Sequence, residues 1–149
     1  MTVVIPTRLK TAESILKYVL GGKATITLVS NVTNKWITYK IGVCNSNSSV
    51  HFVWSKTRLG YRYVCTIKDG KFIYSNKKSL PRWHIEYKSF VWAWRHFINK
   101  SLPHDLVTYH HNTCSKCGRK LTTPKSIKLG IGPECLRQSN MKQMSLINK

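Results

Sequence analysis

Three cysteines near the C-terminal end constrain the fold of this chain more than any other feature. Cys114 and Cys117 form a C-x2-C pair that Gly118 follows directly, and Cys135 comes after the glycine-rich segment 130–134. Glycine permits tight turns in which backbone amides point at thiolates. Two cysteine-bearing turns that face each other are typical of a tetrahedral zinc site, so the spacing predicts a metal centre.

A zinc ion takes four ligands, so a fourth donor is needed beside the three thiolates. Two histidines, His110 and His111, lie just upstream of the C-x2-C pair, and His110 gives the spacing H-x3-C-x2-C-x17-C. A disulfide within the pair is disfavoured because the start of the chain does not look like a secretory signal. A redox pair would need neither Cys135 nor the glycine turn. A structural zinc ion therefore explains more of these residues than either alternative.

The residues from His110 to Cys135 also carry a longer pattern, H-x3-C-x2-C-G-R-x-L-T-x-P-x-S-I-x2-G-I-G-P-E-C. With this pattern the segment resembles a small zinc-ribbon family of unknown function that is found in phage and bacterial proteins. The resemblance implies one structural zinc ion held by His110, Cys114, Cys117 and Cys135. It also implies a small β-rich region and an aromatic helix ahead of the ribbon. It implies no settled activity, although an anti-host role or a role in DNA metabolism follows by association.

Upstream of the cysteines, the spacing of apolar residues predicts helices and strands. Helical spacing predicts one helix over 10–20 and another over about 85–99. Between them the apolar period changes to two, which is typical of strands, and Asp69-Gly70 indicates a hairpin turn. The predicted strands cover residues 24–30, 35–43, 50–55, 61–68, 71–74 and 106–109, with a polar loop over 45–49.

The predicted fold class is therefore α+β, a small antiparallel β-sheet with two helices and a C-terminal zinc ribbon. The sheet and the helices would occupy residues 1–104, the ribbon 105–137 and a flexible tail 138–149. Phe90, Ala93, Trp94, Phe97 and Ile98 would form the buried stripe of the second helix. The two other cysteines, Cys44 and Cys65, fall in predicted strands and are interpreted as small buried hydrophobic residues.

The balance of charge limits the function. The chain has 25 Lys and Arg against 5 Asp and Glu, a formal net charge of +20. So few carboxylates disfavour two-metal nucleases and paired-carboxylate hydrolases. A surface of this kind attracts polyanions, of which nucleic acid is the commonest. Solubility alone or an acidic protein partner would also account for the charge, whereas no free basic amphipathic helix favours a membrane.

Ten cations are the predicted contacts to nucleic acid, five on the ribbon and five upstream of it. They are Lys116, Arg119, Lys120, Lys125 and Lys128 on the ribbon, and Arg58, Arg62, Lys77, Lys78 and Arg82 upstream. Aromatic residues also interleave with cations along the strands, as in sheets that stack unpaired bases. These aromatic residues are Trp36, Tyr39, Phe52, Trp54, Tyr61, Tyr63 and Tyr74. Because strand residues alternate between two faces, about half of the rings belong to the core whatever the function.

An enzymatic alternative has to be weighed. His84-Ile-Glu86 followed by the C-x2-C pair resembles the zinc deaminase signature, in which His84 and both cysteines of the pair bind zinc and Glu86 moves protons. Three features disfavour this interpretation. Thr113 stands where the signature has proline, Gly118 suits a turn better than a helix, and Cys135 is left without a role.

We therefore expect a non-catalytic protein that binds DNA or RNA, encoded by a phage or mobile element. The alternative is an interaction protein that docks on a host enzyme or nucleoprotein complex and modulates it. Neither a long apolar run nor a secretory signal is visible, so the expected location is the cytoplasm.

Overall fold

The computed structural model describes residues 6–75 and 77–147, with side chains up to residue 141. It has an α+β fold in which one antiparallel sheet of seven strands is accompanied by four helices. The strands are β1 (Thr7–Leu9), β2 (Lys23–Ser30), β3 (Trp36–Cys44), β4 (Asn47–Thr57), β5 (Gly60–Lys68), β6 (Lys71–Ile73) and β7 (Leu106–His110). The helices are α1 (Ala12–Val19), α2 (Ile85–Ile98), α3 (Pro124–Leu129) and α4 (Pro133–Ile147).

The strands follow the order β1-β7-β2-β3-β4-β5-β6 across the sheet. The run from β2 to β6 is the predicted meander, in which each strand pairs with the next. Asp69 and Gly70 both have positive φ, 51° and 80°, as the predicted two-residue hairpin turn requires. The predicted loop over 45–49 is too long, because β4 already begins at Asn47 and pairs it with Cys44. Residues 45 and 46 form the turn, and the polar residues 47–49 extend β4.

The helices α1 and α2 cover one face of the sheet and form the core with it. Thr11 caps α1, accepting from the Ser14 amide at 3.1 Å while the Ser14 hydroxyl reaches back toward the Thr11 amide. The core joins fully buried sheet residues to buried helix residues: Ile26, Tyr39, Ile41, Val53, Val64 and Ile67 to Ile15, Val19, Phe90 and Phe97. Each large side chain buried in this way contributes about 1.5–3 kcal/mol to folding.

Two details of the predicted core are wrong. Ile98 is 44% exposed although Phe97 in the same turn of α2 is fully buried, because adjacent helical residues point in different directions, and Tyr87 joins the buried side of the helix. Cys65 is fully buried as predicted, but Cys44 is only partly buried because it ends β3, where its thiol lies 3.3 Å from the Ser46 hydroxyl.

The C-terminal segment contains two helices that the sequence analysis did not predict, α3 and α4. The helix α4 continues to Ile147, through most of the segment expected to be a flexible tail, and residues 148 and 149 lie outside the described residues. Within the described ranges, no helix combines the length and the apolar character needed to cross a membrane.

Candidate metal centre

Cys114, Cys117 and Cys135 form a cluster that could bind one metal ion. Their three sulfur atoms lie within 4.8 Å of one another. In a tetrahedral site with Zn–S bonds of about 2.3 Å, the sulfurs would be about 3.8 Å apart, so small shifts of the side chains would close the cluster around an ion. The three predicted thiolate ligands are thus brought together by the fold.

A tight turn presents the first two cysteines. The Gly118 amide donates to the Cys114 carbonyl at 2.8 Å, and the Cys114 amide donates to the Arg119 carbonyl at 2.7 Å. Gly118 has φ 79°, a conformation that favours glycine. A bridge between Thr113 and Lys120 closes the hairpin outside the turn. This local geometry is the cysteine-bearing turn that the C-x2-C-G motif predicted.

A helix, rather than a second hairpin, presents the third cysteine. Thr123 caps α3, and Gly130 ends it with φ 69°, after which Cys135 lies in the first turn of α4. Two backbone contacts join the halves of the site: the Ser115 amide donates to the Gly130 carbonyl at 2.9 Å, and the Gly132 amide donates to the Cys114 sulfur at 3.3 Å. The cluster is consistent with a zinc ribbon, with a helix start as its second half.

The start of α4 could have been predicted from the sequence. Pro133 and Glu134 follow Gly132, and proline at the first helical position with an acidic residue in the first turn is a helix-start signal. The same residues also fit the glycine-rich turn that the sequence predicts before Cys135. Both interpretations place Cys135 beside the other two cysteines. Only the helix start accounts for the position of its side chain, in the first turn of α4.

The surroundings of the cluster shift the pKa values of two of its thiols in opposite directions. Burial raises the pKa of Cys114, but the amides of Gly132, Cys117 and Lys116 outweigh it and lower the pKa to about 7. Burial and the neighbouring cysteine thiols raise the pKa of Cys135 to about 11. One sulfur is therefore readily anionic while another keeps its proton unless a cation displaces it.

His110, the predicted fourth ligand, lies outside this cluster. Its ring is fully buried and stacks on Tyr18 with 4.8 Å between ring centroids. Its Nδ1 accepts from the Asn112 amide at 3.1 Å, and its Nε2 lies 3.0 Å from the Ile127 carbonyl, to which it donates. Burial lowers the pKa of His110, in keeping with a neutral ring. Ligation by His110 stays a prediction, and it would require the ring to give up one of these two hydrogen bonds.

His111 and His84 also lie outside the metal cluster. The Nε2 of His111 lies 2.7 Å from the Thr27 hydroxyl, on the sheet. His84 precedes α2 and faces Glu86, with 3.7 Å between Nδ1 and the carboxylate oxygen. Among the described residues, the metal-binding group consists of three cysteines, so His84 and Glu86 are not brought to it as the deaminase signature would require.

The three sulfurs face a cavity of about 450 Å3. Its other walls include Arg119, Lys120, Thr123 and Gln138, the last of which lies one helical turn beyond Cys135 on α4. A fourth ligand can therefore approach the cluster from this side. The cavity also places two of the predicted nucleic-acid contacts, Arg119 and Lys120, beside the metal centre.

The metal centre is built onto the sheet domain through α1 and the start of β2. The Tyr18 hydroxyl donates to the Thr113 carbonyl at 2.8 Å, and the Lys23 amide donates to the Ser115 carbonyl at 2.6 Å. A Cβ atom on Gly21 would lie 2.5 Å from the Ser115 hydroxyl, so glycine is needed for this approach. In addition, β7, the first element of the segment 105–137, pairs with β1 and β2 inside the main sheet.

The ten predicted contact cations lie on the surface. Lys116 is half-buried and the other nine are exposed. They are distributed over several parts of the molecule: five lie in the cysteine segment between residues 116 and 128, Arg58 lies before β5 and Arg62 on it, and Lys77, Lys78 and Arg82 lie between β6 and α2. The Arg82 guanidinium lies over the Tyr74 ring, 4.3 Å from its centroid.

The predicted aromatic residues divide between the two sides of the sheet. Tyr39 is fully buried under α2 and donates to the Glu86 carbonyl at 2.7 Å, and Tyr74 packs against Tyr87 of the same helix. The other five, Trp36, Phe52, Trp54, Tyr61 and Tyr63, lie on the face away from α1 and α2, as the register of β3, β4 and β5 shows.

Comparison with known proteins gives one family and no relative. Residues 105–139 match a family of unknown function (DUF6011). No curated protein and no solved structure matches the chain. The matched residues run from the end of the loop before β7 through all three cysteines into α4. This part of the chain, which contains the candidate metal centre, is thus similar to a family whose description states no activity.

Proposed function

We propose that the protein is a non-catalytic nucleic-acid-binding protein whose C-terminal segment is stabilised by zinc. The observation that carries this proposal is positive charge left without partners. In the part of the chain that the structure describes, the Lys and Arg ion pairs are Lys100 with Glu13 and Arg137 with Glu134, and none of the ten predicted contacts takes part. Unpaired surface cations release counterions when they meet phosphates, which drives binding to DNA or RNA.

Zinc is the metal that suits the donor set best. Soft thiolate sulfurs select zinc over magnesium, calcium or manganese, which prefer oxygen ligands. Four-coordinate thiolate-rich zinc sites are mainly structural, and here the ion would join the turn after β7 to the start of α4. Metal analysis of the purified protein by mass spectrometry under native conditions tests this step. One zinc ion per chain supports it, and a protein that binds no zinc at neutral pH contradicts it.

The binding proposal is tested with the zinc-loaded, nuclease-treated protein. Fluorescence anisotropy with short labelled DNA and RNA, single- and double-stranded, is measured across a series of salt concentrations. We expect the logarithm of the binding constant to fall linearly with the logarithm of salt concentration. No binding near physiological salt would overturn the proposal.

A charge variant gives a sharper version of the same test. Arg119→Ala combined with Lys120→Ala removes two cations beside the metal centre, so the slope of the salt dependence should decrease by about 2 with little dependence on sequence. Lys10→Ala combined with Lys17→Ala changes the net charge equally at two exposed positions before and on α1 and is the matched control. Equal effects of both double variants would show that the metal-centre cations make no specific contact.

A second candidate function rests on a different surface. A cavity of about 340 Å3 lies between β2, β3 and α2, lined mainly by apolar residues that include Ile37, Ile85 and Trp92. Ile85 is 62% exposed, and Trp83 beside it 72%. An interaction protein that docks on a host enzyme or nucleoprotein complex would use such a surface. A complex of fixed stoichiometry that survives nuclease treatment, and that Trp92→Ser abolishes, would favour this function.

A further inference from the structure

The face of the sheet away from α1 and α2 has a composition that the fold does not require. We name it the open face and define it by eight residues of β3 to β6. They are Lys40, Phe52, Trp54, Lys56, Tyr61, Tyr63, Lys68 and Lys71. The principal contacts of α1 and α2 are with the other face, where Tyr39, Val53 and Ile67 belong to the core. The open face meets solvent, because its four lysines are exposed and Tyr61 is 38% exposed.

Three of the four aromatic residues of the open face, Phe52, Trp54 and Tyr63, form one continuous group. Lys40, Trp54 and Tyr63 lie directly opposite one another on β3, β4 and β5, and Lys56 lies opposite Tyr61. The centroid of the Trp54 ring lies 5.9 Å from that of Phe52 and 6.3 Å from that of Tyr63. Gly42 lies opposite Phe52 and beside the indole, where a Cβ atom would make an ordinary contact of 3.9 Å with the Trp54 ring. The rings support one another and stay half-buried instead of being covered.

The charges of the open face are all positive. The Lys40 ammonium lies over the Tyr61 ring, 4.4 Å from its centroid, so it crosses the middle of the face. Lys68 and Lys71 lie opposite each other where β5 turns into β6, and Lys56 lies near the end of β4. The five acidic residues of the chain all lie outside the strands, in helices, in a turn or in a loop. A polyanion on this face would therefore meet four cations and no strand carboxylate.

We propose that the open face binds single-stranded nucleic acid, with bases stacked on Phe52, Trp54, Tyr61 and Tyr63 and with phosphates beside the four lysines. This inference rests on the proposed function and names its ligand class and its surface. Stacking requires unpaired bases, because the π-faces of paired bases are hidden inside a duplex. Sheets that bind RNA in this way stack about two or three bases, and the Phe52–Trp54–Tyr63 group is large enough for such a number.

The four lysines were absent from the predicted contact set, although all of them are among the cations that interleave with the aromatic residues in the sequence. The missing signal was the strand register. Only the pairing of Lys40 with Trp54 and of Lys56 with Tyr61 shows that these cations and rings share one face. The proposal requires no sequence preference, because every base offers a π-face.

The test uses the full-length, zinc-loaded protein and a labelled oligothymidine, with a duplex of equal length as the comparison. Trp54→Leu removes the stacking surface and keeps an apolar cover over the strands. Tyr61→Ser removes an exposed ring and carries the test if the Trp54 variant fails to fold. Trp83→Leu is the matched control, because Trp83 is an exposed tryptophan next to α2 and outside the open face.

We expect the wild type to bind the single strand more tightly than the duplex, and Trp54→Leu to weaken single-strand binding by about 5- to 100-fold. Tyr61→Ser should weaken it in the same direction, and Trp83→Leu should leave it unchanged. Tighter binding to the duplex overturns the inference. So does unchanged binding by both ring variants while Arg119→Ala with Lys120→Ala weakens it, an outcome that leaves the proposed function standing. A wild type that binds neither nucleic acid overturns the proposed function itself.

Discussion

The sheet and the cysteine segment hold their shapes by different means. In the sheet, fully buried side chains such as Phe90, Phe97 and Ile41 pack between strands and helices. In the segment from residue 113 to 135, Leu121 is the one large apolar side chain that is buried, and the other buried residues there are small or polar. Backbone hydrogen bonds and the three clustered thiols take the place of a core. A bound ion would therefore stabilise the cysteine segment more than the sheet, since a segment this small buries too little apolar surface to fold alone.

The largest expected effect comes from removing one sulfur of the cluster. Cys114→Ser should abolish stable metal binding and cost several kcal/mol in the metal-loaded protein, because metal-binding free energy is folding free energy in such segments. Metal content and thermal unfolding measure the effect. Cys44→Ser is the matched control, since Cys44 lies outside the cluster and is only partly buried. Equal metal content in both variants would show that the cluster does not hold the ion.

The second-largest expected effect comes from removing a core side chain that packs on the sheet. Phe90→Ala removes a fully buried ring that lies 5.2 Å from Tyr39 and 6.0 Å from Trp94, measured between centroids. We expect a loss of about 3–5 kcal/mol in the free energy of unfolding measured with urea. The folded variant should still bind its metal, because the rings that Phe90 contacts belong to Tyr39 and Trp94 and lie outside the cysteine cluster. Loss of metal from the folded Phe90→Ala protein would show that the two regions are not independent in energy.

The smallest effect concerns the contact between the regions. Gly130→Ala places a Cβ atom 2.7 Å from the Tyr18 ring at a residue with φ 69°, so we expect a loss of about 2–3 kcal/mol. Gly70→Ala is the matched control, because Gly70 has φ 80° and open space around it, and it should cost only about 1 kcal/mol for the backbone conformation. Both losses are measured by urea unfolding. Equal losses would mean that the added Cβ atom at residue 130 is accommodated without a clash against Tyr18.

The same comparison explains which features the sequence could predict. The meander from β2 to β6 was predictable because its apolar period of two and the Asp69-Gly70 turn are local signals. β1 was missed because three residues are too few to show a period. The cysteine turn was predictable from Cys114, Cys117 and Gly118, whose spacing is set by metal geometry. These features share one property, which is that neighbouring residues alone encode them.

The remaining features depend on contacts that are distant in the sequence. The position of His110 follows from Tyr18, Asn112 and Ile127, and no spacing rule reveals that its ring nitrogens meet the backbone. The approach of Gly21 to Ser115 joins residues from opposite ends of the chain. The aromatic residues of the strands could be assigned to a face only once the register was known. Tertiary packing decides each of these points.

Hydrogen exchange measured with zinc and with an excess of chelator tests the central claim most directly. If the ion replaces a core in the cysteine segment, chelation should remove amide protection at residues 113–135 and leave β2 to β5 protected. The amides of Cys114, Ser115 and Gly130, which donate backbone hydrogen bonds at the site, are the most informative probes. Unchanged protection at these amides after the metal has been removed would contradict the account, as would equal loss of protection in the strands of the sheet.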